Sequence, residues 1–209
     1  MEKTLFTQLP FIDVYVGVIP TAVETFPVQC AARNDEIAAC KSEKTRREKY
    51  CVWKLLEYAL RDTFGKENAP KTFEKRDGGK WTAEGCCFSL SHGGNVVAVA
   101  VSSKTVGVDV ERKRDKLLRA REKYLTDDEK KAFALLREEQ RLPFLLERWT
   151  QKESIFKEYG QGAFLPKQID TKMYHTATKW IEIQGETYCL SVAGEGLDTI
   201  RYQIVESYL

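Results

Sequence analysis

Hydrophobic residues alternate with other residues early in the chain. Between Pro10 and Pro20, Ile12, Val14, Val16 and Val18 fall on one face at a spacing of two, which predicts a strand over residues 11–19. The period then lengthens. From Asn34 or Asp35 to about Phe64 the pattern predicts one long helix, with Val52, Leu55, Leu56, Ala59 and Leu60 at helical spacing and Gly65 as its stop. Residues 72–85 are rich in turn formers, and Asp77-Gly78-Gly79 can take backbone angles closed to other residues. Three β-prone runs follow at 86–90, 96–102 and 106–111, with Gly93-Gly94-Asn95 between the first two. Such close succession predicts an antiparallel meander. Residues 115–124, 126–139 and 142–159 then read as helices, Thr126 and Asp127 offering caps, and 178–183, 187–192 and 199–205 as late strands. Strand, helix, strands, then helices and strands again predict an α+β chain in two α+β halves, 1–105 and 106–209. No residue-level repeat accompanies that order.

Composition narrows the classes. With 209 residues, 43% hydrophobic and 31% charged, the chain has an ordinary globular make-up and enough length for a real core. The 33 Lys and Arg nearly balance 31 Asp and Glu, so net charge predicts neither a nucleic-acid nor a membrane partner. Six cysteines without a C-x-x-C pair suggest reduced, mostly buried thiols rather than a zinc ribbon or a disulfide knot. Residues 1–10 lack the apolar run of a signal peptide and no stretch approaches a membrane span, so a cytoplasmic location is expected.

Three patches carry candidate chemistry. In Gly107-Val-Asp-Val-Glu111, strand alternation sends Val108 and Val110 to one face and Asp109 and Glu111 to the other. Adjacent carboxylates raise each other's pKa unless a cation intervenes, and hard oxygen donors suit Mg2+ or Mn2+. An exposed strand face with two solvated acids is the commoner meaning of D-x-E. In Trp149-Thr-Gln-Lys-Glu-Ser-Ile-Phe-Lys157, Glu153 shares a helical stripe with Leu142, Leu146, Trp149 and Phe156, an unusual place for a solvated Glu–Lys pair. Phe88-Ser-Leu-Ser-His92-Gly-Gly puts a hydroxyl and one of two histidines at a strand end before glycines. A hydrogen-bonded loop histidine would look the same. No nucleophilic triad emerges. Basic residues crowd the first half of the long helix, where Lys44 and Arg47 lie one turn apart and could share a phosphate; most of their neighbours read as a solvated face.

In this order, Gly79-Lys80, Ser91-His92, Gly107-Val-Asp-Val-Glu111 and Trp149-Thr-Gln-Lys-Glu153-x-x-x-Lys157 resemble the 4'-phosphopantetheinyl transferase superfamily, in its monomeric, surfactin-synthetase-activating type. The resemblance implies transfer of the phosphopantetheine arm of coenzyme A to a serine of an apo acyl, peptidyl or aryl carrier protein, leaving 3',5'-ADP. It also implies two similar α+β halves packed as an intramolecular pseudodimer. By the same resemblance, Asp109, Glu111 and Glu153 would bind Mg2+, or Mn2+, and Glu153 would activate the carrier serine. Lys157 would counter pyrophosphate charge, Ser91 and His92 would contact coenzyme A, Lys80 and Lys152 would meet phosphate, and Arg47 with Lys44 would hold the nucleotide end. Ser89, Trp81 and Gly93 depart from the usual Asn, Pro and Ser, and the basic helix leaves Arg46 as an alternative to Arg47. Two rivals use the same residues: a nucleic-acid-binding module built on the basic helix, and a metal-dependent phosphoesterase.

Overall fold

The computed structural model describes residues 10–76, 79–160 and 162–209, so Asp77 and Gly78 of the glycine turn, Gln161 of the Gly160-Gln-Gly162 exit and residues 1–9 lie outside the description. Strand β1 (Ile12–Val18) pairs antiparallel with β5 (Val96–Ser102), which forms a hairpin with β4 (Cys87–Gly93). In the second half, β6 (Val106–Arg112) pairs antiparallel with β8 (Glu186–Gly194), which forms a hairpin with β7 (Thr176–Ile183). Each set carries one 22-residue helix: α2 (Glu43–Phe64) on the first and α5 (Glu138–Tyr159) on the second.

Side-chain alternation produces the layers. Val97, Val99 and Val101 of β5 pack with Tyr15 against Trp53, Leu55, Leu56 and Leu60 of α2. On the opposite face, Val96, Ala98 and Ala100 join Ile12, Val14 and Val16 against Val106, Val108, Val110, Leu190 and Val192 of the other sheet. Strand β5 is buried on both faces, which is why it reads as an unbroken apolar run. Behind the second sheet, Leu145 and Leu146 of α5 pack with Tyr124, Leu125 and Cys189. The order is therefore helix, sheet, sheet, helix.

Several expectations need correction. Strand β6 does not continue a meander: it leaves the β4–β5 hairpin to edge the second sheet, because its valine face is needed in the inter-sheet core. The long helix is two, α1 (Ala31–Ala38) and α2. Ser42 starts the second by accepting the Thr45 N–H at 3.4 Å, and Arg46 ties the link to the Cys40 carbonyl at 2.9 Å. The turn-rich segment includes a short hairpin, β2 (Phe73–Lys75) with β3 (Trp81–Ala83). After a short helix α3 (Lys116–Ala120), Thr126 caps α4 (Asp127–Ala134) in a reciprocal box with Glu129, and α5 starts at Glu138 rather than 142 because the Gln140 side chain accepts the Arg137 N–H. The last strand, β9 (Ile200–Val205), returns to the first sheet and pairs parallel with β1.

Candidate active site

The acidic pair stands where β6 meets α5. Gly107 is required there: a Cβ at this position would overlap the Ser154 carbonyl oxygen and crowd the Glu158 amide, so its absence lets strand and helix touch. One residue on, the valine face turns into the core, and Asp109 faces α5. Asp109 is buried, and its Oδ1 accepts from Lys157 Nζ at 2.7 Å and from Ser91 Oγ at 2.8 Å. Lys157 also donates to Ser91 Oγ at 3.1 Å, closing a three-member ring.

Ser91 arrives through the seam between β4 and β6. These edge strands belong to different sheets, so no ladder joins them. Instead, Ser89 and Ser91 hydroxyls accept the N–H groups of Val108 and Val110 at 3.0 and 3.2 Å. Ser89 thus has a role of its own where the resemblance led to an Asn. Ser91 has its one proton on Asp109 and both acceptor sites filled. The Ser91 hydroxyl is thus committed to holding Asp109 and Lys157, which leaves the backbone of Ser91 for the expected contact with coenzyme A.

Glu153 lies beside this ring on α5. Burial first, then Asp109 and Glu111, push its carboxyl up to about 7, with Lys157 pulling the other way. Three acids in mutual repulsion are a set that a cation would relieve. The Asp109 Oδ2 is buried without a hydrogen-bond partner, a free hard donor, while Glu111 approaches Arg114 at 3.9 Å. Among the described residues no group of three or more His, Cys, Asp and Glu side chains is arranged to hold a metal ion on its own. The donor chemistry nevertheless fits a hard divalent ion that takes one or two carboxylates and completes its shell with water and phosphate oxygens. The predicted apolar stripe is shifted, too. Leu142, Trp149, Glu153 and Phe156 are half-buried, whereas Leu146, Thr150 and Ser154 form the deepest line. There Thr150 bonds Ser191 at 2.7 Å, and Ser191 bonds Thr178 at 2.9 Å.

His92 links this centre to α2. Its Nδ1 lies 3.8 Å from Glu48 Oε2, and burial lowers its pKa against the pull of Glu48, with Lys157, Asp109 and Lys44 also felt. Lys44 approaches the other Glu48 oxygen at 3.6 Å. Lys44 and Arg47 line a cleft of about 380 Å³ with Glu48, Gly94 and Asn95, and Arg47 reaches the Thr21 carbonyl. Arg46 is instead bound to Glu43 and the Cys40 carbonyl, so Arg47 is the arginine of this cleft. Lys80 sits under the C-terminal end of α5, donating to the carbonyls of Lys157 and Glu158 at 2.6 and 2.9 Å, and faces a second cleft with Trp81, Cys87 and Gly160.

Lys152 is a correction. It was expected at a phosphate, but it is fully buried and its three protons go to the Tyr124 carbonyl, Glu129 Oε2 and the Pro166 carbonyl at 2.9, 2.7 and 2.9 Å. No proton remains for a ligand. Sequence reasoning also missed Glu48 as the partner of His92, having read it among solvated helix charges, and Glu129 as the partner of Lys152. The Thr126-x-x-Glu129 spacing was a usable signal for a capping box, though not for a buried ion pair.

Comparison with known proteins bears on this half of the molecule. Residues 105–204 match the family model of the 4'-phosphopantetheinyl transferase superfamily. A 4'-phosphopantetheinyl transferase of Bacillus subtilis is 28% identical over 79 residues, 38% of this chain and 35% of that protein. The 4'-phosphopantetheinyl transferase Sfp of Bacillus subtilis (strain 168) is 27% identical over a stretch of the same coverage, and the transferase gsp of Aneurinibacillus migulanus is 29% identical over 38% of this chain and 33% of its own. The match thus spans about a third of the length of these curated relatives. Gly107, Asp109, Glu111, Glu153 and Lys157 all fall inside the region that matches the family model, and it is over that region that the chain is similar to the 4'-phosphopantetheinyl transferase superfamily.

Proposed function

We propose that this protein moves the 4'-phosphopantetheine arm of coenzyme A onto a serine of an apo carrier protein, releasing 3',5'-ADP and converting the carrier to its holo form. The observation that carries the reading is the Asp109–Lys157–Ser91 ring with Glu153 raised to about 7 beside it. Glu153, as a carboxylate, could take a proton from an incoming serine hydroxyl. Lys157, held at Asp109, would meet charge as it grows on the 5'-phosphate of the departing 3',5'-ADP. Lys44 and Arg47 in their cleft, His92 between Glu48 and Lys157, and Lys80 supply cationic or donor groups for a substrate whose phosphates sit at two separated places.

Mg2+ or Mn2+ would draw its carboxylate ligands from Asp109, Glu111 and Glu153, and when bound would polarise the phosphoryl oxygens and offset their charge. Ser91 would keep Asp109 oriented. The topology supports two α+β halves related as an intramolecular pseudodimer, since each half runs strand, long helix, hairpin with the same sheet order. The proposed boundary near 105 divides them, apart from β9, which crosses back.

The test is incubation of the purified protein with coenzyme A, Mg2+ and a panel of apo acyl, peptidyl and aryl carriers, read by intact carrier mass. Mass gain on at least one carrier, lost on chelation and restored by Mg2+, is expected. Release of free phosphopantetheine or phosphate, with every carrier unmodified, would instead point to a phosphoesterase.

A further inference from the structure

Lys152 precedes Glu153, yet its ammonium is turned away from the acidic ring, fully buried and with all three protons engaged. Its three acceptors come from separate segments. The Tyr124 carbonyl lies just before α4, Glu129 is the capping-box partner of Thr126 within α4, and Pro166 begins the first 3-10 turn after α5, Pro166–Gln168. One side chain of α5 therefore pins the segment before the helix and the segment after it. Aromatic packing follows the same line: Tyr124 meets Trp149, Trp149 meets Phe164, and Phe164 meets Phe156, at centroid distances of 5.3, 5.6 and 5.2 Å.

Packing resists separation of these segments but tolerates rotation of a helix about its axis. Three directed hydrogen bonds from one ammonium do not. A buried charge with two peptide carbonyls and one carboxylate also cannot re-pair with water if it shifts. Glu129 serves twice, since its Oε2 also accepts the Thr126 N–H at 2.8 Å.

We propose that Lys152 is a positioning residue, a buried strut that fixes the rotation of α5 and so the direction in which Glu153 faces Asp109, rather than a phosphate ligand. The proposal rests on the transferase reading for its kinetic consequence, but its structural part stands apart from it. Loss of the ammonium frees the 124–129 and 166–168 segments and misdirects Glu153, while the nucleotide contacts on α2 and β4 stay in place.

The experiment compares wild type, Lys152→Met and the double variant Lys152→Met/Glu129→Gln, which removes both buried charges and keeps an acceptor for Thr126. Amide hydrogen exchange in 124–129 and 166–173 is expected to accelerate in Lys152→Met. Turnover is expected to fall roughly tenfold to a hundredfold, with KM for coenzyme A held within about twofold. The double variant is expected to regain thermal stability without regaining turnover, a split that a purely structural residue would not give. Wild-type exchange in Lys152→Met, or a raised KM for coenzyme A with unchanged kcat, overturns the strut. If Lys152→Met does not fold, the double variant decides by the same readouts. If wild type transfers nothing to any carrier, the transferase reading fails alone, and exchange still judges the strut.

Discussion

The two halves of the molecule share one plan and use it differently. A single shift along the chain carries Glu43 onto Glu138, Phe64 onto Tyr159 and the terminating Gly65 onto Gly160, both glycines having positive φ, 77° and 65°. The strand ladders align as well: Ile12 opposite Ser102 corresponds to Val106 opposite Gly194. These alignments place Tyr15 on Asp109, Gly17 on Glu111, Tyr58 on Glu153 and Asp62 on Lys157. In the first half, Tyr15 donates to Asp62 at 2.8 Å and packs edge-on to Tyr58. In the second, Lys157 donates to Asp109 at 2.7 Å with Glu153 alongside. The first set is an aromatic clamp that contributes stability. The second concentrates like charge, which disfavours the fold and suits a charged ligand.

The edges of β1 and β6 are also covered differently. Tyr208 packs over Gly17 and donates to the Val18 carbonyl at 2.7 Å, and β9 lies along β1, clipped by Arg201 to Asp13 in two 2.8 Å bonds. The corresponding edge of β6 meets β4, whose Ser89 and Ser91 hydroxyls accept its N–H groups and whose Gly93 abuts the Val110 carbonyl. The same architecture thus covers the edge of β1 with a backbone ladder and the edge of β6 with a side-chain seam.

The largest expected contrast is catalytic. Asp109→Ala or Glu153→Ala should cost several kcal/mol of barrier, roughly a thousandfold in transfer measured by carrier mass. Tyr15→Phe and Tyr58→Phe, at the corresponding positions, should change turnover by no more than about twofold, because the hydrogen bonds they lose, Tyr15 to Asp62 and Gln203 to Tyr58, join none of the proposed reacting groups. Equal losses in both halves would end the distinction.

Next come the glycines. Gly107→Ala must push α5 off β6 against backbone atoms, at about 3 kcal/mol or more in thermal or urea unfolding. Gly17→Ala meets only the Tyr208 ring, which can turn aside, at about 1–2 kcal/mol.

A smaller effect has the opposite sign. The Glu153 carboxyl binds its proton more tightly folded, at about 7, than its ordinary 4.5, so stability falls as pH rises between those values and the penalty is complete above 7. In chelator, Glu153→Gln should therefore raise stability by about 1–2 kcal/mol at pH 8, and add nothing at pH 4, as followed by Tm. Least of all, Arg201→Ala should cost about 1 kcal/mol, since the arginine is 66% exposed.

Much of this was legible in the sequence, for local reasons. Ile12 to Val18, the α2 stripe and the Val108/Val110 alternation are periodic patterns whose burial depends on nearest neighbours, and they fold as read. The break at Ser42 was missed because good helix formers stand on both sides of it. The departure of β6 was missed because a strand's sequence does not say which sheet will receive it.

For the site, residue types and spacing identified Asp109, Glu111, Glu153 and Lys157 as chemically capable. Lys152 shows the limit of that approach. One residue from Glu153 and in the same motif, it looks like another phosphate lysine, yet helix rotation takes it inward to carbonyls 14 and 28 residues away in sequence. Ser91 turns inward in the same way.

Short-range periodicity and side-chain chemistry, written in the order of amino acids, settled which segments become strands and helices and which groups can bear charge. Their partners were settled by long-range packing: the seam that gives Ser91 to Asp109, the burial that raises Glu153, and the return of β9 to pair with β1. Those features depend on groups distant along the chain meeting in a dry interior, where an unpaired charge or amide is costly, and no local pattern encodes which groups will meet.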